Sequence, residues 1–199
     1  MSTVRLFFAI LAMCIGMPGV TAPADQPARN WGVEMLMQQL SQVEHSQARF
    51  VERKYLKALK APLELSGTLS YSRPDRLEKR TLKPKLETLV VEGDKLTIEN
   101  PARKERRELK LRDYPVLWGF VESIRSTLGG NIKSLERFYR LELEGEAANW
   151  QLFLVPLDRK MNEVISLVRI DGSQARIKTI EVQETRGDRS VMKIHEDTR

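Results

Sequence analysis

The chain has 199 residues, a formal net charge of +6 and a single cysteine, Cys14. This length predicts one domain, and 27 acidic residues interleaved with 33 basic ones predict a mixed, solvated surface rather than a nucleic-acid-binding one. Because Cys14 falls inside an expected export signal, the rest of the chain has no thiol for a disulfide, a nucleophile or a Cys-ligated metal.

The first 24 residues have the pattern of an export signal. Arg5 supplies a positive charge, an apolar run extends from Leu6 to Ile15, and Ala22-Pro23-Ala24 forms a small-x-small cleavage site. We therefore expect residues 1–24 to be a cleaved signal peptide. The mature periplasmic protein, residues 25–199, would begin at Asp25 as a single domain.

Two alternatives for this segment stay open. A retained membrane anchor would need about 20 apolar residues, and the run here is shorter and is followed by Gly and Pro. Lipidation of Cys14 would give an anchored protein, although Met13 is an unfavourable residue before a lipidated cysteine.

The next segment predicts a helix and then strands. Apolar residues at three- and four-residue spacing predict an amphipathic helix over roughly Trp31 to His45. From Phe50 the period changes to two, and Leu63 to Tyr71 alternates apolar with polar residues, as in a strand with one buried face. Arg73-Pro74-Asp75 predicts the turn that ends this strand.

Further short strands follow at hairpin spacing. The predicted strands are Leu86 to Val91, Lys95 to Glu99, a charged edge strand Arg103 to Leu111, Tyr139 to Glu144, Trp150 to Val155, Val164 to Ile170, Ile177 to Val182 and Val191 to His195. Turns are predicted at Glu92-Gly93-Asp94, Asn100-Pro101, Asp171-Gly172 and Arg186-Gly187-Asp188. About ten antiparallel strands in meander order predict an α+β domain with a curled sheet that forms an incomplete (half) β-barrel.

One helical segment interrupts the strands. Pro115 to Leu128 carries apolar residues at helical spacing, and Gly129-Gly130 ends it. Asn131 is a predicted cap for a second short helix, Ile132 to Phe138. The pattern fits both a core helix that closes one end of the barrel and a mobile lid over an apolar pocket.

Catalytic chemistry is poorly supported. The two histidines, His45 and His195, stand apart in the sequence without a nucleophile elbow or a ligand cluster beside them. We therefore expect no enzyme activity, no catalytic residue, no metal site and no cofactor.

The order of the motifs resembles that of the LolA-like periplasmic outer-membrane lipoprotein carriers. The matching segments are Ser46 to Phe50 after the helix, Gly67 to Pro74 ending in Arg-Pro, Val90 to Leu96 with its Gly-Asp turn, Asn100-Pro101, Trp150 to Pro156 and Ile177 to Glu184. The resemblance implies an N-terminal helix, an incomplete barrel and a helical lid over a hydrophobic cavity.

The resemblance also implies a role and its residues. The protein would be a monomeric carrier for the acyl chains of lipoproteins or another lipid cargo, with an inner-membrane donor and an outer-membrane acceptor. The expected ligand-binding residues of cavity and lid are Leu36, Leu40, Phe50, Leu69, Leu117, Phe120, Val121 and Ile124. By the same resemblance, Arg73 would hold the lid closed when the cavity is empty.

Two departures keep other functions open. The family has a hairpin strand rich in Trp, Phe and Tyr, and here Leu96, Ile98 and Asn100 occupy it. The chain ends soon after the last predicted strand, so the family's C-terminal extension is expected to be missing. The alternatives are a non-carrier periplasmic lipid-binding or sensor module, or an accessory subunit of an envelope lipid export system.

Overall fold

One antiparallel sheet of eleven strands organises residues 31–196, which are the residues that the computed structural model describes. The strands are β1 (His45–Tyr55), β2 (Leu63–Ser72), β3 (Arg76–Lys83), β4 (Glu87–Glu92), β5 (Lys95–Asn100), β6 (Glu105–Lys110), β7 (Tyr139–Glu146), β8 (Asn149–Pro156), β9 (Ile165–Ser173), β10 (Arg176–Glu184) and β11 (Arg189–Glu196). The helices are α1 (Val33–Leu40), α2 (Pro115–Leu128), α3 (Ile132–Glu136) and α4 (Arg159–Asn162).

The sheet consists of two meanders joined at a central seam. Its strand order is β6-β5-β4-β3-β2-β1-β11-β10-β9-β8-β7, so β1 to β6 form a first half and β7 to β11 a second half. At the seam β1 pairs with β11, with Phe50 opposite Ile194. The edge strands β6 and β7 stand at opposite ends of this order, and the sheet is therefore not closed.

Helix α2 packs against both halves of the sheet. The first-half core contains Val91, Leu96 and Leu111, and α2 adds Leu117 and Val121 to it. The second-half core is larger and comprises Leu36, Met37, Leu40, Leu135, Tyr139, Trp150, Leu152, Leu154, Met161, Ile165, Val168 and Ile170, with Phe120 and Ile124 of α2 packed against it. The segment that connects the two edge strands, β6 and β7, contains α2 and therefore covers the concave face of the sheet.

The predicted α+β half-barrel is confirmed, with some differences at the level of elements. Helix α2 has the predicted bounds, and the Asn131 side chain accepts the Ser134 N–H at the start of α3. Helix α1 is shorter than predicted, since Gly32 before it is extended and β1 already begins at His45. Strand β3 and the short helix α4 carry many charged residues and little apolar periodicity, and the sequence pattern does not predict them.

The turn predicted at Asp171-Gly172 is wrong. Both residues lie inside β9, and the chain turns only after Ser173, where Gln174 has a φ of 53°. Gly172 is needed for packing instead: a Cβ there would lie 2.1 Å from Cζ2 of the Trp150 ring. In the sequence alone, a glycine that makes room for a neighbouring tryptophan ring cannot be distinguished from a glycine in a turn.

The expected signal peptide, residues 1–24, and Cys14 lie outside the described residues. Within residues 31–196, no helix has the length and apolar character needed to cross a membrane.

Candidate ligand-binding cavity

A cavity of about 850 Å³ lies between α2 and the concave face of the sheet. Apolar side chains from α2 form one wall, among them Leu117, Phe120 and Ile124. The opposite wall comes from both halves of the sheet, with Leu69 on β2 and Ile180 on β10 as examples. The lining therefore spans the seam, and it exists because the sheet curls around α2.

Six of the eight residues expected to bind ligand line this cavity: Leu40, Leu69, Leu117, Phe120, Val121 and Ile124. The other two lie elsewhere. Leu36 is fully buried in the second-half core. Phe50 is also buried, because its ring packs against Gly67 on β2 and the Lys79 Nζ covers it at 5.0 Å from the ring centroid.

Helix α2 is fixed to the two halves of the sheet by different polar contacts. On the first half, Arg125 donates to the carbonyl oxygen of Gly93, in the turn between β4 and β5, at 2.9 Å. Gly93 has a φ of 57°, the left-handed conformation that this turn requires. On the second half, the Tyr139 hydroxyl donates to the Gly119 carbonyl at 3.2 Å.

The same arginine belongs to a buried network on α2. Arg125 forms an ion pair with Glu122, and the Ser126 hydroxyl donates to the other carboxylate oxygen at 2.8 Å. Glu122 is only 9% exposed, so its charge depends on these partners.

Arg73, the residue expected to hold the lid closed, forms its hydrogen bonds with the segment that follows α1. Its guanidinium donates to the carbonyl of Ser41, directly after α1, and its backbone N–H donates to the Glu44 carbonyl at 2.9 Å. The reason is the strand register: Ser72, the residue before Arg73, pairs with His45, where the chain leaves α1 for β1. Arg73 thus holds the end of α1 against the sheet. The hydrogen bond from an arginine of α2 to the sheet comes from Arg125.

A charged cluster interrupts the apolar wall. Glu52 on β1 is 4% exposed and accepts hydrogen bonds from Lys79 and, at 2.6 Å, from the Ser190 hydroxyl. The Lys54 ammonium lies 3.7 Å from the same carboxylate. Burial raises the pKa of Glu52, but the two lysines and the serine hydroxyl outweigh burial and hold that pKa below its ordinary value.

The Tyr71 hydroxyl is a second polar group at the cavity. Tyr71 is 3% exposed, and within the described part of the chain its hydroxyl has no hydrogen-bond partner. Burial raises the pKa of this hydroxyl. The burial of Tyr71 follows from the alternation along β2. The Glu52 cluster does not follow from the sequence pattern, because β1 mixes charged and apolar residues on its concave face.

The histidine and acidic side chains of residues 31–196 do not gather into a possible metal site. No group of three or more His, Cys, Asp or Glu side chains there could hold a metal ion. His45 and His195 are both exposed and lie on β1 and β11.

Comparison with known proteins gives the family. A sequence model described as outer membrane lipoprotein carrier protein LolA-like matches residues 25–194. The chain belongs to this LolA-like family, whose members are carrier and binding proteins rather than enzymes. No curated protein sequence matches the chain significantly.

Solved structures with a similar fold have low sequence identity to this chain. A LolA superfamily protein of Nitrosomonas europaea is 10% identical, with 84% of this chain and 94% of that chain covered and a TM-score of 0.42. A putative outer membrane lipoprotein-sorting protein domain of Vibrio parahaemolyticus is 11% identical, with 82% and 89% covered and a TM-score of 0.42. A chain of the Pseudomonas aeruginosa MucA/MucB complex is 10% identical, with 82% and 56% covered and a TM-score of 0.46.

Proposed function

We propose that the protein is a periplasmic carrier that holds the acyl chains of lipoproteins, or of another acylated lipid, and moves them towards the outer membrane. The observation that carries this proposal is the apolar cavity of about 850 Å³ beneath α2. Small-molecule sites have volumes of about 300–1,000 Å³, so this one is large. Each buried methylene contributes about 0.8 kcal/mol, and an acyl chain is the ligand that such a lining favours.

A carrier must also release its cargo, and the attachment of α2 supports that step. Arg125 to Gly93 and Tyr139 to Gly119 are polar contacts at two points, which can break and re-form while the sheet stays intact. In this proposal α2 is the lid. Arg125 is its latch, and Arg73 keeps α1 in place beside the opening.

A specific observation favours a second candidate, a non-carrier module that senses or stores lipid, or that serves an envelope export system. Val121 of α2 is 8% exposed within the first-half core, and Phe120 packs against the second-half core. A helix held in two cores resists opening. Slow ligand exchange fits a storage or sensing module better than a carrier.

The first test is the ligand itself. We expect the protein purified from the periplasm of its own host to contain acyl chains that organic extraction and mass spectrometry detect in stoichiometric amounts. Transfer of that ligand to outer-membrane vesicles separates a carrier from a storage module. Recovery of the protein from the cytoplasm with its N-terminal 24 residues intact would contradict a periplasmic role.

The second test places the ligand in the cavity. A hydrophobic fluorophore should bind the wild type saturably and be displaced by fatty acid, and Phe120→Glu should weaken binding at least about tenfold, because the acyl chain would meet a carboxylate. Leu69→Glu tests the opposite wall in the same way. Leu157→Glu is the matched control, since Leu157 is 57% exposed. Unchanged binding by both cavity variants, with normal circular dichroism, would place the ligand elsewhere.

A further inference from the structure

The cavity wall contains one compact group of charges, the cavity triad of Glu52, Lys54 and Lys79. All three side chains line the cavity. Glu52 is almost fully buried, Lys79 donates to it, and Lys54 lies 3.7 Å away. The Ser190 hydroxyl from β11 completes the surroundings of the carboxylate at 2.6 Å.

The charges of the triad are not needed to stabilise the folded protein. Removing charges from water is energetically costly, and apolar side chains of similar volume often stabilise such a position equally well or better. A cavity that only needed to exclude water would therefore be served by apolar residues at these positions. The charges make physical sense if a ligand meets them.

The balance of charge in the triad favours an anion. Two ammonium groups face one carboxylate, which leaves one surplus positive charge. Each ammonium has three hydrogen-bond donors, and Lys79 donates to Glu52. A ligand anion can accept from the remaining donors without displacing Glu52.

The position of Lys79 connects this charge to the apolar lining. Its strand neighbours across β2 and β4 are Leu69 and Leu89, and both line the cavity. An acyl chain lying on these leucines would bring its polar end within reach of the Lys79 ammonium.

We propose that the cavity triad is a headgroup site, and that the ligand is an anionic amphiphile whose acyl chain ends in a carboxylate or a phosphate. This proposal rests on the proposed lipid-binding function and specifies its ligand class. Lys79 and Lys54 bind the anionic head, and Glu52 holds the two ammonium groups in place through its bond to Lys79 and its ion pair with Lys54.

The test compares ligands that share one alkyl chain and differ in the head. Dodecanoate, dodecyl phosphate, dodecanol and dodecylamine compete with a bound fluorophore on the full-length mature protein, below their micelle-forming concentrations. The two anions should bind about tenfold or more tightly than dodecanol, since hydrogen bonds to charged groups contribute more than neutral ones. Their ranking identifies whether a fatty acid or a phosphate-bearing lipid fits better.

Variants assign the preference to the triad. Lys79→Met should lower the affinity for both anions to that of dodecanol and leave dodecanol binding unchanged. Because this variant leaves Glu52 without its hydrogen-bonded lysine, the triple variant Glu52→Gln, Lys54→Met, Lys79→Met repeats the test with all three charges of the triad removed. Arg80→Met is the matched control: it removes one positive charge from the next, exposed position of β3.

The outcomes separate the two proposals. Equal binding of all four ligands, or tightest binding of dodecylamine, would overturn the headgroup site and leave lipid binding intact. An anion preference that persists in the triple variant would also overturn it. If none of the four ligands displaces the fluorophore from the wild type, the lipid-binding function itself fails.

Discussion

Two tyrosines are almost fully buried, and they differ in what their hydroxyl groups contact. Tyr139 donates to the Gly119 carbonyl of α2, whereas Tyr71 has no hydrogen-bond partner among the described residues. Both rings are less than 4% exposed, so the apolar contributions of the two side chains are similar. Comparing the two tyrosines therefore isolates the contribution of the Tyr139 hydroxyl hydrogen bond to the free energy of unfolding.

Replacing each by phenylalanine should therefore have opposite effects. Tyr139→Phe leaves the Gly119 carbonyl without its donor and should lower the free energy of unfolding by about 1–2 kcal/mol. Tyr71→Phe removes an unpaired buried hydroxyl and should leave that free energy unchanged or raise it by up to about 1 kcal/mol. Urea unfolding of both variants measures the difference, and an equal loss in both would show that the Tyr139 contact has no special weight.

Tyr139 also predicts how stability depends on pH. Burial raises the pKa of Tyr139 from 10.0 to about 12 in the folded protein. The phenol ionises earlier in the unfolded chain than in the folded one, so its contribution to stability is complete below pH 10 and is lost as the pH rises to about 12. The wild type should lose stability across this window more steeply than Tyr139→Phe. Tyr114→Phe, at an exposed tyrosine, should follow the wild type.

Among the elements, α2 is the proposed lid of the cavity. Its bond from Arg125 to the β4–β5 turn holds it to the first half of the sheet, and Arg73 acts on α1 instead. Hydrogen bonds to charged donors contribute about 1.5–3 kcal/mol. Losing one changes an open-to-closed ratio by roughly ten- to a hundredfold.

Arg125→Met should accordingly increase both the association and the dissociation rate of a cavity fluorophore by about tenfold or more, measured by stopped flow. It also strands the buried Glu122, so Glu122→Gln, Arg125→Met separates faster opening from general destabilisation. Arg73→Leu serves as the comparison and should change these rates less than threefold. If Arg73→Leu accelerates exchange more than Arg125→Met, the latch assignment is reversed.

The sequence predicts this element well and its attachment poorly. Pro115 at the start, Gly129-Gly130 at the end and apolar residues at helical spacing define α2 by local rules alone. The partner of Arg125 depends on where a distant turn lies in the curled sheet, and no local pattern contains that information. The cavity triad and its partner Ser190 escape prediction for the same reason, since Glu52, Lys79 and Ser190 meet only once the four strands β3, β2, β1 and β11 have paired.

For the whole molecule, the sequence predicts the class of fold from its alternating strands and turns. It misses β3 because charged residues dominate that strand, and it mistakes Gly172 for a turn because only the folded state brings Trp150 against it. Strands, turns and helices that depend on neighbouring residues can be predicted from the sequence, whereas contacts that depend on strand register cannot.

The central seam between β1 and β11 makes the order of folding unusual. Every other strand pair joins consecutive strands of the chain, but the seam pairs distant residues; Glu52 and Ser190, for example, are 138 positions apart. Closing so long a loop costs entropy before any contact repays it, so the seam should form last. Pulse-labelled hydrogen exchange during refolding should protect the β2–β3 and β3–β4 amides before the β1–β11 amides. Simultaneous protection would contradict this order.

During synthesis, β1 is made first and its seam partner β11 last. At ordinary translation rates of about 5–20 residues per second, the inner edge of β1 waits on the order of 10 s for that partner. An unpaired strand edge is a template for aggregation, so this protein's most vulnerable moment is its own biosynthesis, and a chaperone that covers β1 should raise its yield more than one that covers β6.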